Sequence, residues 1–160
     1  MSSAAMPSPP YSDVKGERMQ YSTQIKCNAL QVREATGPTA NNSKAFADMF
    51  SDVATMAKEA FFVVTMNQKH KVIDKHLVSL GTLTASLVHP REVFTPALLD
   101  SAAAVSFVHN HPSGDCNPSA EDRSITARMC KAAEIMGIRV LDHVIVGRNG
   151  HFSFCDSGLL

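Results

Sequence analysis

The residues best suited to chemistry are two histidines and an aspartate in the second half of the chain. His109 and His111 stand two positions apart at the end of an apolar segment. Because side chains alternate between the two faces of a strand, both imidazoles would project to one side and Asn110 to the other. Asp122 falls in the first turn of a predicted helix, and the loop before it is short enough to bring that helix back over the strand end. We therefore expect two nitrogen ligands and one oxygen ligand to converge.

A set of ligands of this kind is typical of catalytic zinc. Such sites use three protein ligands and keep a fourth position open for water, and two histidines with a carboxylate are a common combination. Each half of the pattern has a simpler explanation when it is taken alone. A His-x-His pair is often only a surface or core pair, and Ser119, three residues before Asp122, is most simply a helix N-cap. The joined pattern, His-x-His-Pro-Ser-Gly followed by Pro-Ser-x-x-Asp, is far more restrictive, and we interpret it as a zinc site.

A strand and a helix must position these three side chains. Residues 104–111 are predicted to form the strand, and the Pro-Ser-Gly sequence after them ends it. The helix is predicted to open at residues 118–122, with Gly137 placed to terminate it. Its apolar side comprises Ile125, Met129, Ala132, Ala133 and Met136.

The rest of the chain supplies the remaining elements of a small domain. Residues 25–32 resemble a weakly patterned first strand, and a helix is predicted from Asn42 or Ser43 through Ala57. The further predictions are strands at 60–66, 71–73 and 77–83, a helix from Pro90 to just before Asp100, and a final hairpin of 138–146 and 151–154 with a turn at Asn149-Gly150. These elements predict an α/β (α+β) fold in which helices surround a mixed β-sheet meander, without regular βαβ repeats.

The candidate metal residues also carry a resemblance to a known family. The run from His109 to Gly114, then Pro118-Ser119, then Asp122 resembles the JAMM metal motif of JAB/MPN domains, in the form found in RadC-like proteins. The segments 89–94 and 142–146 are similar to RadC as well, so the resemblance covers about residues 38–160. It implies the cytidine-deaminase-like architecture of JAB/MPN domains. We expect the domain to span 23–160, after an N-terminal tail at 1–22.

The resemblance implies a role for each motif residue. In JAMM hydrolases the two histidines and the aspartate bind Zn2+, which corresponds to His109, His111 and Asp122, and the motif serine, here Ser119, helps to stabilise the oxyanion. An upstream glutamate transfers the proton. Glu59 is our preferred assignment, because it lies where the first helix is predicted to end and the following strand begins. Glu92, in the helix before the metal strand, is the rival and is expected to be structural.

The implied activity is hydrolysis of an amide or isopeptide bond in a peptide or protein substrate. Two other functions stay open. RadC-like proteins are associated with DNA repair, which suggests an action on DNA or on a DNA-bound partner, and some JAB/MPN domains are non-catalytic interaction modules. Full-length RadC proteins carry a helix-hairpin-helix segment ahead of this domain that we do not find in this sequence, so DNA contact through such a segment is not expected. Neither the substrate nor the oligomeric state can be identified from the sequence.

Composition narrows the choice of partners. Lys plus Arg and Asp plus Glu both total 15, so the formal net charge is +0 and no global positive field would attract nucleic acid. The N-terminal 22 residues are rich in Ser, Pro and charge, which predicts a flexible tail rather than a signal peptide.

Cysteine spacing and hydropathy indicate the compartment. No C-x-x-C pair occurs among Cys27, Cys116, Cys130 and Cys155, which argues against a zinc knuckle and a disulfide framework. No segment reaches the roughly 18 apolar residues that a membrane span needs. We expect a cytoplasmic protein without a membrane partner.

Overall fold

The computed structural model describes residues 33–81 and 88–160. Within these residues the strands are β1 (Glu59–Met66), β2 (Val72–Gly81), β3 (Ala104–Asn110), β4 (Arg139–Gly147) and β5 (Gly150–Ser153), and the α-helices are α1 (Ser43–Met49), α2 (Pro90–Leu99) and α3 (Ala120–Met136). The described strands form one mixed sheet in the order β2-β1-β3-β4-β5, which confirms the α/β class. The tail at 1–22 and the weak strand at 25–32 lie outside the described residues.

The sheet is antiparallel except at its centre. β1 pairs antiparallel with both β2 and β3, and β5 pairs antiparallel with β4. β3 and β4 are parallel, and α3 is the crossover between them. A parallel pair needs such a crossover, so α3 must begin at the carboxyl end of β3. The sequence interpretation did not include this β3-α3-β4 unit, and it is the unit that carries the candidate ligands.

Buried apolar side chains of the described residues form a cluster on each face of the sheet. The cluster on the α1 side includes Phe46, Phe50 and Val64, and the cluster on the α2 and α3 side includes Phe61, Phe94 and Met129. His109 lies opposite Phe61 in the sheet register and contacts its ring, so it belongs to the α2 and α3 side. Asn110 faces the other way, as strand alternation requires.

The first helix is shorter than its hydrophobic spacing indicated. We expected it to continue through Ala57, but α1 ends at Met49 and a separate 3-10 turn covers Val53–Thr55. Ser51 and Asp52 lie between them, and short polar side chains of this kind compete with helical hydrogen bonds. The break allows Val53 and Ala54 to be buried against β3 and β4.

Residues 71–81 also differ from the expectation, and the predicted strand positions 82–83 lie outside the described residues. Instead of two strands, one strand, β2, runs through the polar segment Asp74–His76 and pairs with β1, with register shifts near both ends. Among the described strands β2 is at the edge of the sheet, where half-exposed polar residues are tolerated. In the final hairpin, Gly147 pairs with Gly150, so the turn residues are Arg148 and Asn149, one position earlier than predicted.

No helix in the two described ranges is long and apolar enough to cross a membrane.

Candidate metal centre

The carboxyl end of β3 brings the two histidines together. His109 is completely buried, between Phe61 of β1 and Ile145 of β4 in the sheet register. His111 follows the last residue of β3, and its backbone N–H donates to the carbonyl of Val146 at 3.2 Å, which keeps the strand direction. The Nε2 atoms of the two imidazoles are 3.1 Å apart.

The third group arrives with the first turn of α3. Ser119 caps this helix: its hydroxyl accepts from the backbone N–H of Asp122, and the Asp122 carboxylate accepts from the backbone N–H of Ser119 at 2.8 Å. This capping box directs the carboxylate back toward the strand end. Asp122 Oδ1 lies 3.1 Å from His109 Nε2, and Oδ2 lies 3.3 Å from His111 Nε2. The convergence predicted from the spacing is therefore present.

The three side chains fit a metal ion. His111 Nδ1 lies 2.6 Å from the carbonyl of Asp115, so Nδ1 must carry the hydrogen and the neutral ring presents a lone pair at Nε2. Ligand atoms at about 2.0–2.1 Å from a tetrahedral Zn2+ are about 3.3 Å from one another, close to the separations here. Among the described residues, His109, His111 and Asp122 form a group that could hold a metal ion.

The electrostatics of the site favour a cation between these groups. Burial opposes ionisation of Asp122, but the nearby imidazoles of His109 and His111, together with the hydroxyl of Ser119, outweigh that effect and hold the pKa of the carboxyl far below its usual range. Burial lowers the pKa of His109, whereas the hydrogen bond to Asp122 raises the pKa of His111. The site thus contains the ionised carboxylate of Asp122, the neutral buried imidazole of His109 and the imidazole of His111, which binds a proton more readily than a free histidine does. A metal ion can bridge these three groups.

The loop that orients His111 packs tightly against β4. A Cβ atom on Gly147 would lie 2.7 Å from Cys116 Sγ and 2.8 Å from the backbone oxygen of Gly114, so this close approach requires glycine. Gly114 also donates its N–H to the carbonyl of His111 at 2.9 Å. The position of the carbonyl that holds His111 therefore depends on the absence of a side chain at residue 147.

We expect Gly147→Ala to displace this loop, with a loss of about 1–3 kcal/mol in unfolding free energy from overpacking and weaker zinc binding through His111. Urea unfolding and zinc titration measure the two effects. The matched control is Asn149→Ala in the neighbouring exposed turn, which should change neither. Wild-type stability and zinc binding in the Gly147 variant would show that the loop is not held in this way.

Glu59, the first residue of β1, lines the cavity in front of the metal centre. The same cavity is lined by His111, Pro112, Ser113, Ser119, Glu121 and Asp122. Glu92 is not among these lining residues; it is an exposed residue in the first turn of α2 and forms an ion pair with Arg91 at 3.1 Å. The geometry therefore brings Glu59 to the candidate site and leaves Glu92 at the surface.

Asn110 connects the metal strand to the segment that carries Glu59. Its side-chain amide donates to the carbonyls of Met56 and Lys58, at 3.3 and 3.2 Å, and its oxygen accepts from the N–H of Ala60 at 2.8 Å. Asn110 is completely buried. One side chain thus fixes the backbone on both sides of Glu59, a role that the sequence reasoning did not assign.

Asn110→Asp should therefore lower the unfolding free energy by about 2 kcal/mol or more, because two carbonyls lose their donor in a buried place. The substitution keeps the size of the side chain, so no cavity forms, and urea unfolding measures the lost hydrogen bonds together with the cost of a buried carboxyl group that faces two carbonyls. Asn149→Asp, in an exposed turn, is the control and should stay within about 0.5 kcal/mol of wild type. Equal losses in the two variants would contradict the role of Asn110.

Ser119 lies at the N-cap of α3, as the sequence predicted, but its hydroxyl already has a hydrogen-bond partner. Besides capping α3, the hydroxyl donates to Asp122 Oδ2 at 2.6 Å. A contact with a substrate oxyanion would require this hydrogen to turn from Asp122 toward the cavity.

Behind the ligands lie two further polar residues, Thr126 and His143. Consecutive residues of β4 face opposite ways, so Asp142 binds Ser153 and the backbone N–H of Cys155, while His143 contacts His109. Thr126 follows Asp122 by four residues on α3, a spacing that places both on one helix face. The sequence analysis named 142–146 only as a segment similar to RadC, and it did not include Thr126.

Comparison with known proteins finds one matching family and several relatives. Residues 40–159 match the family described as RadC-like JAB domain. Three similar relatives are each named UPF0758 protein. The chain is 56% identical over 108 residues to that of Symbiobacterium thermophilum, covering 68% of this chain and 46% of the relative. It is 55% identical over 103 residues to that of Trichlorobacter lovleyi, covering 64% and 45%, and 47% identical over 144 residues to that of Pelodictyon phaeoclathratiforme, covering 90% and 60%. The chain thus spans about half the length of the relatives it matches.

Proposed function

Because the chain belongs to the RadC-like JAB domain family, we propose that it is a zinc-dependent hydrolase of the JAMM type that cleaves an amide or isopeptide bond. The observation that carries this proposal is the convergence of His109, His111 and Asp122 on one point beside a cavity that Glu59 also lines. Three protein ligands would leave a fourth position for water on a bound zinc ion, as in catalytic rather than structural zinc sites.

The cavity has room for a segment of a peptide. Its volume is about 470 Å³, within the range of ligand-binding clefts. Glu59 and Glu121 give it an acidic wall, and Ser113 and Ser119 also line it. A peptide or protein is the substrate class that we propose, since an extended chain with a carbonyl directed at the three ligands fits an open cleft of this size.

Each residue has a distinct task in the proposed reaction. A zinc ion here would polarise the scissile carbonyl and lower the pKa of a water molecule to roughly 7. Glu59 would accept the proton of the attacking water and return it to the leaving amine, which is general base and then general acid catalysis. Ser119 would turn its hydroxyl from Asp122 toward the developing oxyanion, a contact whose removal commonly costs on the order of a hundredfold in rate.

A peptide-cleavage profile tests this function. The protein, loaded with zinc, is incubated with a mixed peptide library and with an isopeptide-linked library, and the products are identified by mass spectrometry. We expect cleavage at amide bonds that stops when a chelator removes the metal and returns when zinc is restored. The His109→Ala, His111→Ala double variant is the control and should cleave nothing.

Each of the two alternatives predicts a different result, and the DNA alternative needs a further incubation of the zinc-loaded protein with DNA. Zinc bound by wild type without cleavage of any peptide or isopeptide would favour a metal-stabilised interaction module over an enzyme. An action on DNA would show as zinc-dependent change of a DNA substrate. The balanced charge of the chain offers no general attraction to DNA, so the peptide reaction is the one we propose.

A further inference from the structure

A chain of buried hydrogen bonds runs behind His109 and returns to Asp122. His109 Nδ1 lies 2.8 Å from His143 Nε2, His143 Nδ1 lies 2.6 Å from Thr126 Oγ1, and Thr126 Oγ1 lies 2.6 Å from the backbone oxygen of Asp122. His109 and His143 are completely buried, and Thr126 is 3% exposed, so water does not compete for these bonds. The chain therefore starts at one candidate metal ligand and ends at another.

The backbone oxygen of Asp122 sets the direction of every bond in this chain. A carbonyl only accepts, so the single hydroxyl hydrogen of Thr126 must point to it. Thr126 Oγ1 must then accept from His143, which places the hydrogen of that imidazole on Nδ1. His143 is buried among aromatic rings, where a charged imidazolium is disfavoured, so its Nε2 carries a lone pair. His109 must therefore donate from Nδ1.

We propose that His143 and Thr126 are positioning residues that fix His109 in the tautomer with a bare Nε2, so that its lone pair faces His111 and Asp122. This proposal rests on the proposed function, because the tautomer matters only if His109 is a metal ligand. In this proposal Asp122 has two roles. Its carboxylate is a metal ligand, and its backbone oxygen orients His109 through Thr126 and His143. His111 needs no such chain, because the carbonyl of Asp115 orients it directly.

A purely structural role for His143 predicts something else. Its ring stacks on Phe154 with a centroid separation of 4.9 Å and meets Phe107 edge-on, so any flat apolar ring could fill the same space. If packing were its whole contribution, the hydroxyl of Thr126 would not affect the metal centre. Partners that orient a metal-bound histidine typically change metal affinity by 10–100-fold when they are removed, so the two roles are separable by measurement.

The test uses Thr126→Val, which keeps the shape of the side chain and removes the hydroxyl, together with Thr126→Ser, which restores it. We expect zinc affinity, measured by competition with a chromogenic chelator, to fall by about 10–100-fold in the valine variant and to stay close to wild type in the serine variant. The matched control is Thr95→Val. Thr95 makes the same bond to the carbonyl four residues earlier in α2, at 2.6 Å, but is exposed and is not part of the chain behind His109.

The tautomers are measured directly by long-range ¹H–¹⁵N spectra of the metal-free wild type. We expect His143 and His109 each to carry hydrogen on Nδ1 and none on Nε2. An Nε2–H tautomer of His143, or wild-type zinc affinity in Thr126→Val, would overturn the proposal. Thermal unfolding of the metal-free variants separates a folding defect from an effect on the ligand. If wild type binds no zinc, the proposed function fails, and the spectra alone then decide whether the two residues orient His109.

Discussion

Glu59→Gln should leave zinc bound and lower the rate of peptide hydrolysis by about a hundredfold or more. Glutamine keeps the size of the side chain but cannot accept the proton of the attacking water. Glu59 lines the cavity and is not one of the three converging ligands, so its loss should not release the metal. The measurement is kcat on a peptide identified by the cleavage profile, with zinc content determined on the same preparation.

The matched control is Glu92→Gln, which removes a glutamate that is exposed and paired with Arg91. Its rate should stay near that of wild type. If Glu59 merely began a strand, its replacement would leave the rate of peptide hydrolysis unchanged, whereas replacement of a general base would lower it. Full activity in the Glu59 variant together with lost activity in the Glu92 variant would require the two roles to be exchanged.

Asp122→Asn should weaken zinc binding by more than about a hundredfold, since it removes a charged ligand, whereas loss of an orienting partner typically costs 10–100-fold. Ser119→Ala should weaken it less. Ser119 donates to Asp122 Oδ2 and caps α3, so alanine leaves the carboxylate in place but less firmly held. The lost cap should also lower the unfolding free energy by roughly 1 kcal/mol.

Both variants change the same capping box, so the comparison between them isolates the carboxylate charge. Zinc affinity is measured by chelator competition and stability by urea unfolding of the metal-free proteins. If Asp122→Asn binds zinc as tightly as wild type, the aspartate is not a ligand. If Ser119→Ala loses as much affinity as Asp122→Asn, the capping geometry rather than the charge controls the site.

Much of the site was predictable because its determinants are local. Strand alternation places His109 and His111 on one face and Asn110 on the other, whatever the rest of the fold does. The first turn of α3 is likewise encoded by Ser119 and Asp122, which cap the helix reciprocally, and its end by Gly137 in a left-handed conformation. Local rules of this kind operate within a few residues, so the sequence alone carries them.

The features that were missed depend on contacts between distant segments. The parallel pairing of β3 with β4 and the single bulged strand β2 follow from the sheet as a whole. Asn110 finds its partners in residues 56–60, about fifty positions earlier, and His143 meets Thr126 and His109 only when β4 lies beside β3. Such partners are set by tertiary packing, and the hydrophobic periodicity of the sequence does not predict them.

The zinc content of the purified protein tests the central claim most directly. Elemental analysis of wild type should give about one zinc ion per chain, because three ligands converge on a single point. The His109→Ala, His111→Ala double variant, purified in the same way, should contain almost none. The same small metal content in both proteins would contradict the account, since the convergence of His109, His111 and Asp122 would then have no bearing on metal binding.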